Sequence, residues 1–404
     1  MERNIILLTG LFAPNDYESI IQNSKGNVQF AADALQKSIV IGLLSYEEIQ
    51  IVNLPFVGSY PRRYKKPRID SFTFSSIGNE TVVKGTNVSF CNVTGIKLLD
   101  RYIRAKRALQ SKIADDKDNI IFVYSIHTPF LLACRDLKRQ YRNVKVILIS
   151  PDLPEYMSQK ETCVRSLLVS MNKYVLKHCY QFVDGYVLLT DYMKERLPVG
   201  SKPYTVIEGI YNQKDECDLI QQNDSREQYI LYTGTLARRY GILNLVKAFM
   251  SVKIDNLKLY ICGEGEARDE IIRLSNLDSR IKYIGQIKRE EALYLQRSAK
   301  LLVNPRSPEG EFTKYSFPSK VMEYLASGTP TLMCRLPGIP DEYYNYCYSM
   351  DNNEVYALAE ALLKIFEIPE RYRFEMGQRA RDYILQKKNP KSQTKKIVDL
   401  LANL

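Results

Sequence analysis

LKLYICGEGEARDEIIRLSNLDSRIKYIG, residues 257–285, decides the fold of this chain. LKLYIC is a short, nearly continuous apolar run and reads as a strand. Gly263 and Gly265 turn the chain, a charged amphipathic stretch reads as a helix, and IKYIG reads as the next strand. The same alternation extends in both directions. NIILLTG, IQIVNLP, NIIFVYSIH, VKVILIS, GYVLLT and YTVIEG are the expected strands of the first half, and YILYTG, AKLLVNP and TPTLMC complete the second. Apolar runs of this kind separated by helices imply parallel sheets buried on both faces. The region from about 56 to 94 is less regular and is expected to form loops or an antiparallel excursion. The polar segment 212–228 divides the two series as a linker. The expected organisation is therefore α/β, with two doubly wound Rossmann-like domains at 1–211 and 229–386 and a final helix in 387–404 that packs back towards the first domain. Ligands of such sheets lie outside the carboxyl ends of the strands, so the active cleft is expected between the halves.

At 404 residues the chain exceeds one typical core, and with 45% hydrophobic and 25% charged residues it has the composition of a globular protein. No run of about 18 apolar residues is present, and MERNIILLTGLFAP does not read as a signal peptide, so a cytoplasmic location is expected. The eight cysteines form no CxxC pair; Cys262 and Cys334 read as small buried hydrophobes, and the sequons at Asn79, Asn87 and Asn92 as accidental. The formal charge of +11 points to an acidic partner. Arg62, Arg63, Lys65, Lys66 and Arg68 crowd one segment, and Arg101, Arg104, Lys106 and Arg107 follow on a predicted helix. Peripheral contact with an anionic membrane, at about 1 kcal/mol per basic residue, is the leading expectation, and a solvated basic loop is the alternative. The helical stretch 163–182 suits the same surface or a core position. No nucleic-acid motif accompanies the charge.

The segment KYSFPSKVMEYLASGTP, 314–330, reads as a short helix entered at Pro318, capped by Ser316 or Ser319 and stopped by Gly328 and Pro330. Val321 and Leu325 share a buried face; Ser316, Lys320, Glu323 and Ser327 share another. Lys320 beside the helix N-terminus suits an anion such as a diphosphate, and Glu323 can accept hydroxyls; a solvated Lys/Glu pair is the plain alternative. Other strands end in Gly234 and Thr235 before Arg238 and Arg239, in Gly263 and Gly265, and in Gly285. In the first half, His127 and Asp152 follow strands, while Gly10 and Gly26 flank the first loop and could approach a phosphate or an acceptor. His178 reads as packing or surface. The DxD at Asp116 and Asp118 precedes a strand and reads as a solvated turn; without a His/Cys cluster no metal is expected. The absence of GxGxxG after any strand argues against a dinucleotide oxidoreductase.

The ordered series YTGTLARRYGI, YICGEGEARDE, YIGQIKREEALY and LLVNPRSPEGEFTKYSFPSKVMEYLASGTP, over roughly 229–350, resembles the nucleotide-binding half of the family 4 (group 1) retaining glycosyltransferases of GT-B fold. The resemblance implies two Rossmann-like domains facing across a cleft and a metal-independent enzyme without a cofactor. Such an enzyme moves a sugar from a nucleotide-sugar donor, UDP-linked first, to a saccharide or polyprenyl-linked saccharide, as in cell-surface polysaccharide biosynthesis. It implies that Glu323 grips the ribose, that Lys320 and Arg238 or Arg239 neutralise the diphosphate, and that Ile287 joins the strand-end glycines and residues 315–319 on the donor side. His127 would stand beside the transferred sugar, with Gly10, Gly26 and Asp152 on the acceptor side. Tyr315 stands where the family has a glutamate, so its role passes to the N–H groups of Tyr315, Ser316 and Phe317 or to Glu311. Thr235 and Tyr240 likewise replace basic residues. Two rival readings are a non-hydrolysing sugar-nucleotide epimerase, which would consume donor without acceptor, and a degenerate subunit that binds without turnover.

Overall fold

The structure, a computed structural model, describes residues 2–26, 28–77, 81–153, 163–213 and 227–404, the side chains of 163–168 excepted. The expected linker falls largely on 214–226, outside the described residues, as does the sequon residue Asn79. The chain divides into two compact units, Met1–Ile210 with Pro390–Leu404, and Tyr211–Asn389.

The first unit is built on an eight-stranded sheet ordered Tyr204–Val206, Gly185–Leu188, Val144–Ser150, Asp118–Tyr124, Arg3–Thr9, Ile49–Asn53, Thr81–Asn87, Phe72–Ile77. All neighbours pair in parallel except the last two. The irregular region after residue 56 thus supplies one antiparallel edge strand and the parallel strand beside it. Central strands such as Ile120–Tyr124 and Ile5–Leu8 are buried throughout, which explains their lack of polar alternation. The last helix, Pro390–Leu401, packs beside Phe30–Leu43 in this unit. Gly42 permits that approach: a Cβ there would lie 2.3 Å from the carbonyl oxygen of Pro390. Ile397, Leu400 and Leu401 then join the core that holds Ile39, Val40 and Leu43.

The basic segment is a built loop. Tyr64 is buried within it and bridges to Ser24; Asn92 donates to Gly58 O at 2.9 Å, and Lys25 N–H donates to Arg63 O at 2.9 Å. Arg62, Arg63, Lys65, Lys66 and Arg68 remain exposed.

On the helix Lys97–Gln110 the expected surface cation Arg101 is buried at 1% exposure, while Leu98 and Leu99 are 58% and 60% exposed. The buried stripe is Lys97, Arg101, Ala105 and Leu109, a spacing of four that places two cations inwards. Arg101 therefore contributes nothing to a membrane-facing patch.

The second unit holds a six-stranded parallel sheet ordered Ile281–Gly285, Leu257–Cys262, Gln228–Thr233, Leu301–Asn304, Thr331–Cys334, Tyr348–Met350. Cys262 and Cys334 are buried in its strands with free thiols. No helix among the described residues is long and apolar enough to cross a membrane.

Candidate functional site

In the second unit the chain moves outward from Gln228–Thr233 through two strands, then returns to Leu301–Asn304 on the other side of its start. A doubly wound sheet receives ligands in the crevice beyond such a reversal. Here the strand ends deliver Gly234 and Thr235 on one side and Pro305 and Arg306 on the other. Gly263, at φ 136°, presses against the first turn: a Cβ there would come within 1.9 Å of Gly234 O. Gly234 itself, at φ 141°, leaves room for Lys320, whose Nζ would lie 2.8 Å from an added Cβ.

Lys320 reaches that turn from the helix Ser319–Ala326, which is locked onto the strand end. The buried Tyr324 hydroxyl accepts from Thr233 N–H at 2.8 Å and donates to Thr233 O at 3.2 Å, while Gln296 donates to Thr233 Oγ1 at 3.1 Å. One turn earlier, the Lys320 ammonium sits 4.1 Å from the centre of the Tyr232 ring. Burial, and then the charge of Arg306, push Lys320 down to about 7, with Glu323 opposing. Arg306 donates to Ser316 Oγ at 2.9 Å and lies over Tyr240 and Phe312, 5.2 and 5.0 Å from their ring centres. Its Nε is buried without a partner, and its pKa is lowered, first by burial. Arg239 covers the same two rings at 5.1 and 5.6 Å. Among the described residues none of Arg239, Arg306 and Lys320 is bridged to a carboxylate. Three cations crowd one aromatic floor, an arrangement suited to a polyanion.

Of the two candidate arginines, Arg238 is bridged to Glu270 at 2.8 Å, so Arg239 carries the unneutralised charge. Glu323 is partly buried and lies 3.5 Å from Arg289. Neither serine caps the helix: Pro318 occupies the cap without a side-chain bond, and Ser316 is turned to Arg306 and to Phe312 O. Tyr315 is buried and its N–H donates to Phe312 O at 3.2 Å, so that N–H is not offered to a ligand. Phe317 packs on Tyr343, and Ile287 packs on the cluster of Tyr229 and Tyr260; Ser319 is exposed. Gly265 lies against the Leu236 backbone, and Gly285 O accepts from Gly263 N–H at 2.8 Å. Arg306 escaped the sequence reading although it stands two residues beyond a strand, one residue further than Gly234 and Gly263.

The first unit reverses between Arg3–Thr9 and Asp118–Tyr124. Beyond that point opens a cavity of about 1060 Å³ lined by Phe12, Arg63, Lys97, Arg101, His127 and Asp152, among others. His127 precedes the helix Thr128–Gln140 and packs edge-on against Phe56 and Phe130. Arg101 Nε donates to His127 Nε2 at 3.1 Å, which leaves the imidazole proton on Nδ1. Burial, then the charges of Arg101 and Lys97, hold His127 well below the usual histidine range. His127 is thus a neutral hydrogen-bond donor. Asp152 also lines the cavity, and desolvation raises it to about 6. Gly26, at φ 109°, lines it as well.

Gly10 does not approach a ligand. It is buried, its N–H donates to Gln36 Oε1 at 2.9 Å, and a Cβ would meet the Phe56 ring at 2.3 Å. Packing explains that glycine. Among the described residues no group of acidic, histidine and cysteine side chains could hold a metal ion.

Residues 214–383 match the profile of the family described as "Glycosyl transferases group 1". A 143-residue stretch is 23% identical to the O-antigen chain mannosyltransferase B of Escherichia coli, covering 34% of this chain and 36% of that protein. That alignment spans about a third of the relative's length. The sucrose-phosphate synthase of Thermosynechococcus elongatus superposes with a TM-score of 0.65 at 15% identity, over 99% of both chains. The Anabaena protein HepE, solved in complex with UDP, gives 0.62 at 14% identity over 99% of this chain and 100% of its own. The shared fold is GT-B.

Proposed function

Residues 214–383 belong to the group 1 glycosyl transferases, and from that premise we propose that the chain is a retaining, metal-independent glycosyltransferase of family 4 acting in cell-surface polysaccharide biosynthesis. The observation that carries the reading is the unpaired Arg239, Arg306 and Lys320 cluster at the strand reversal of the second unit. A nucleotide sugar presents a diphosphate to such a cluster, and the UDP complex of HepE supports UDP as the nucleotide. Glu323, beside Arg289, would hold the ribose hydroxyls, with Ile287 against the base.

In the reaction the bond between the donor's C1 and the diphosphate oxygen breaks. The acceptor hydroxyl forms its bond to C1 on the same face, and its proton passes to the leaving phosphate oxygen. Negative charge grows on the diphosphate, where Lys320, Arg239 and Arg306 stabilise it. Neutral His127 donates a hydrogen bond to a sugar hydroxyl in the first-unit cavity, with Asp152 and Gly26 in its lining. The acceptor is a saccharide or a lipid-linked saccharide, and the exposed cations of the basic loop allow peripheral contact with an anionic membrane from the cytoplasmic side.

Calorimetry with UDP, GDP and ADP tests the donor assignment. One diphosphate, expected to be UDP, binds the wild type, and Glu323→Ala weakens it about tenfold or more, the value of losing a charge-assisted bond to the ribose. Equal affinity in the variant would remove Glu323 from the site.

A further inference from the structure

We propose that the cavity of the first unit is a phosphate site, and that it holds the acceptor saccharide by a phosphate group the acceptor carries. Among the described residues the wall combines Lys25, Arg63, Lys97 and Arg101 with a single carboxylate, Asp152. Arg101 is spent on the protein itself, on two backbone carbonyls and His127. The other three are not. Lys97 is 9% exposed and among the described residues donates only to Val57 O, at 2.5 Å, so two of its three donors are unclaimed there. Lys25 donates to Pro61 O at 3.1 Å, and Arg63 has no side-chain bond or ion pair among the described residues.

These cations are held in place. Lys25 and Arg63 are joined through their backbones at 2.9 Å, the neighbouring Tyr64 is buried, and Gly58 abuts Arg63 so closely that a Cβ would lie 2.4 Å from Arg63 Cβ. A neutral sugar would leave the buried Lys97 charge unanswered, with the exposed Lys25 and Arg63 beside it. A dianionic phosphate answers it, and the remaining lining, His127 with its Nδ1 proton and Phe12, suits the sugar ring. Burial, then the charge of Arg101, push Lys97 down to about 7. A bound phosphate raises that pKa, so affinity declines as the pH rises above 7, while below about 6 the phosphate loses its own second charge.

The inference rests on the transferase reading for the word acceptor, but its test measures binding alone, so a chain that failed to transfer sugar could still pass. Glucose 6-phosphate, glucuronate and glucose are titrated by calorimetry into the full chain at pH 6.5 and 8.5. Glucose 6-phosphate is expected to bind at least about tenfold more tightly than glucose or glucuronate, and more tightly at the lower pH. The double variant R63Q/K97M loses that preference, and Lys320→Met keeps it, which separates this site from the diphosphate site of the second unit. Should the double variant fail to fold, R63Q alone, at an exposed position, is expected to weaken binding about threefold. Farnesyl diphosphate binding above glucose 6-phosphate would assign the phosphate to a lipid carrier, and binding below it to a free sugar phosphate. A wild type that does not prefer the phosphate ester, or a preference that survives in the arginine and lysine variants and vanishes with Lys320→Met, overturns the proposal.

Discussion

Lys320→Met is expected to lower kcat for sugar transfer about 100- to 1000-fold, the range seen when one preorganised donor to a developing charge is removed. Methionine, one atom shorter and uncharged, keeps most of the side chain's apolar packing beside Tyr232, and the Tyr324 to Thr233 bonds that seat the helix are untouched. The fold should therefore survive, and a melting curve within a few degrees of wild type is the control. The pH dependence sharpens the test. In the free protein Lys320 titrates near 7 because it is buried beside Arg306. A bound diphosphate raises that value, so binding above pH 7 takes up a proton. Donor affinity is then full below pH 7 and falls as the pH rises towards the value in the complex, and the variant should lose that slope. An activity loss without any change in the pH dependence of nucleotide binding would mean that Lys320 serves packing alone.

The positions of the diphosphate cations show how far a sequence reaches. Strand, turn and helix order could be read from apolar runs and glycines, because parallel sheets buried on both faces leave an unmistakable pattern. Lys320 and Glu323 were visible because their spacing put them on the non-core face of a helix. Arg239 could not be told from Arg238, since the choice depends on Glu270, a residue on another helix that captures the latter. Gly10 looked like a ligand turn, and only the Phe56 ring beneath it reveals a packing role. The first-unit cations were hidden more deeply. Lys97 and Arg101 lie on a helix whose first two leucines, Leu98 and Leu99, face outward, so a rule that buries the apolar residues misorients its first turns. What reverses it is three-dimensional: the phenylalanines and carbonyls that converge on Arg101 come from segments far apart in the chain.

That convergence makes Arg101→Met the substitution with the largest expected cost to stability. The guanidinium donates to Leu54 O and Pro55 O, each at 2.9 Å, and to His127 Nε2 at 3.1 Å. It lies 5.4, 4.7 and 5.1 Å from the ring centres of Phe56, Phe90 and Phe130. Methionine fills part of the aromatic box but leaves Leu54 O and His127 Nε2 without their donor, at about 1–3 kcal/mol each before relaxation, while Pro55 O keeps the Val57 N–H at 3.0 Å. A net loss of about 3–5 kcal/mol in urea unfolding at pH 7.5 is expected, and Arg101→Lys should recover part of it, since an ammonium satisfies fewer of the acceptors. His127 supplies an independent readout. With its pKa held well below the unfolded value near 6.5, it stays neutral in the folded chain and protonates only on unfolding as the pH drops. The unfolded state then binds more protons, so stability is full above pH 6.5 and declines below it. The chain has two histidines, and His178 is exposed, so their ring signals in a magnetic resonance titration can be told apart. His127 should not titrate in the usual histidine range in the wild type, and its pKa should rise in Arg101→Met, because the variant removes one charge that opposes its protonation while the burial that contributes most remains. A wild-type His127 that titrates near 6.5 would show that Arg101 does not hold the ring, and the neutral donor assigned to the first-unit cavity would have to be given up.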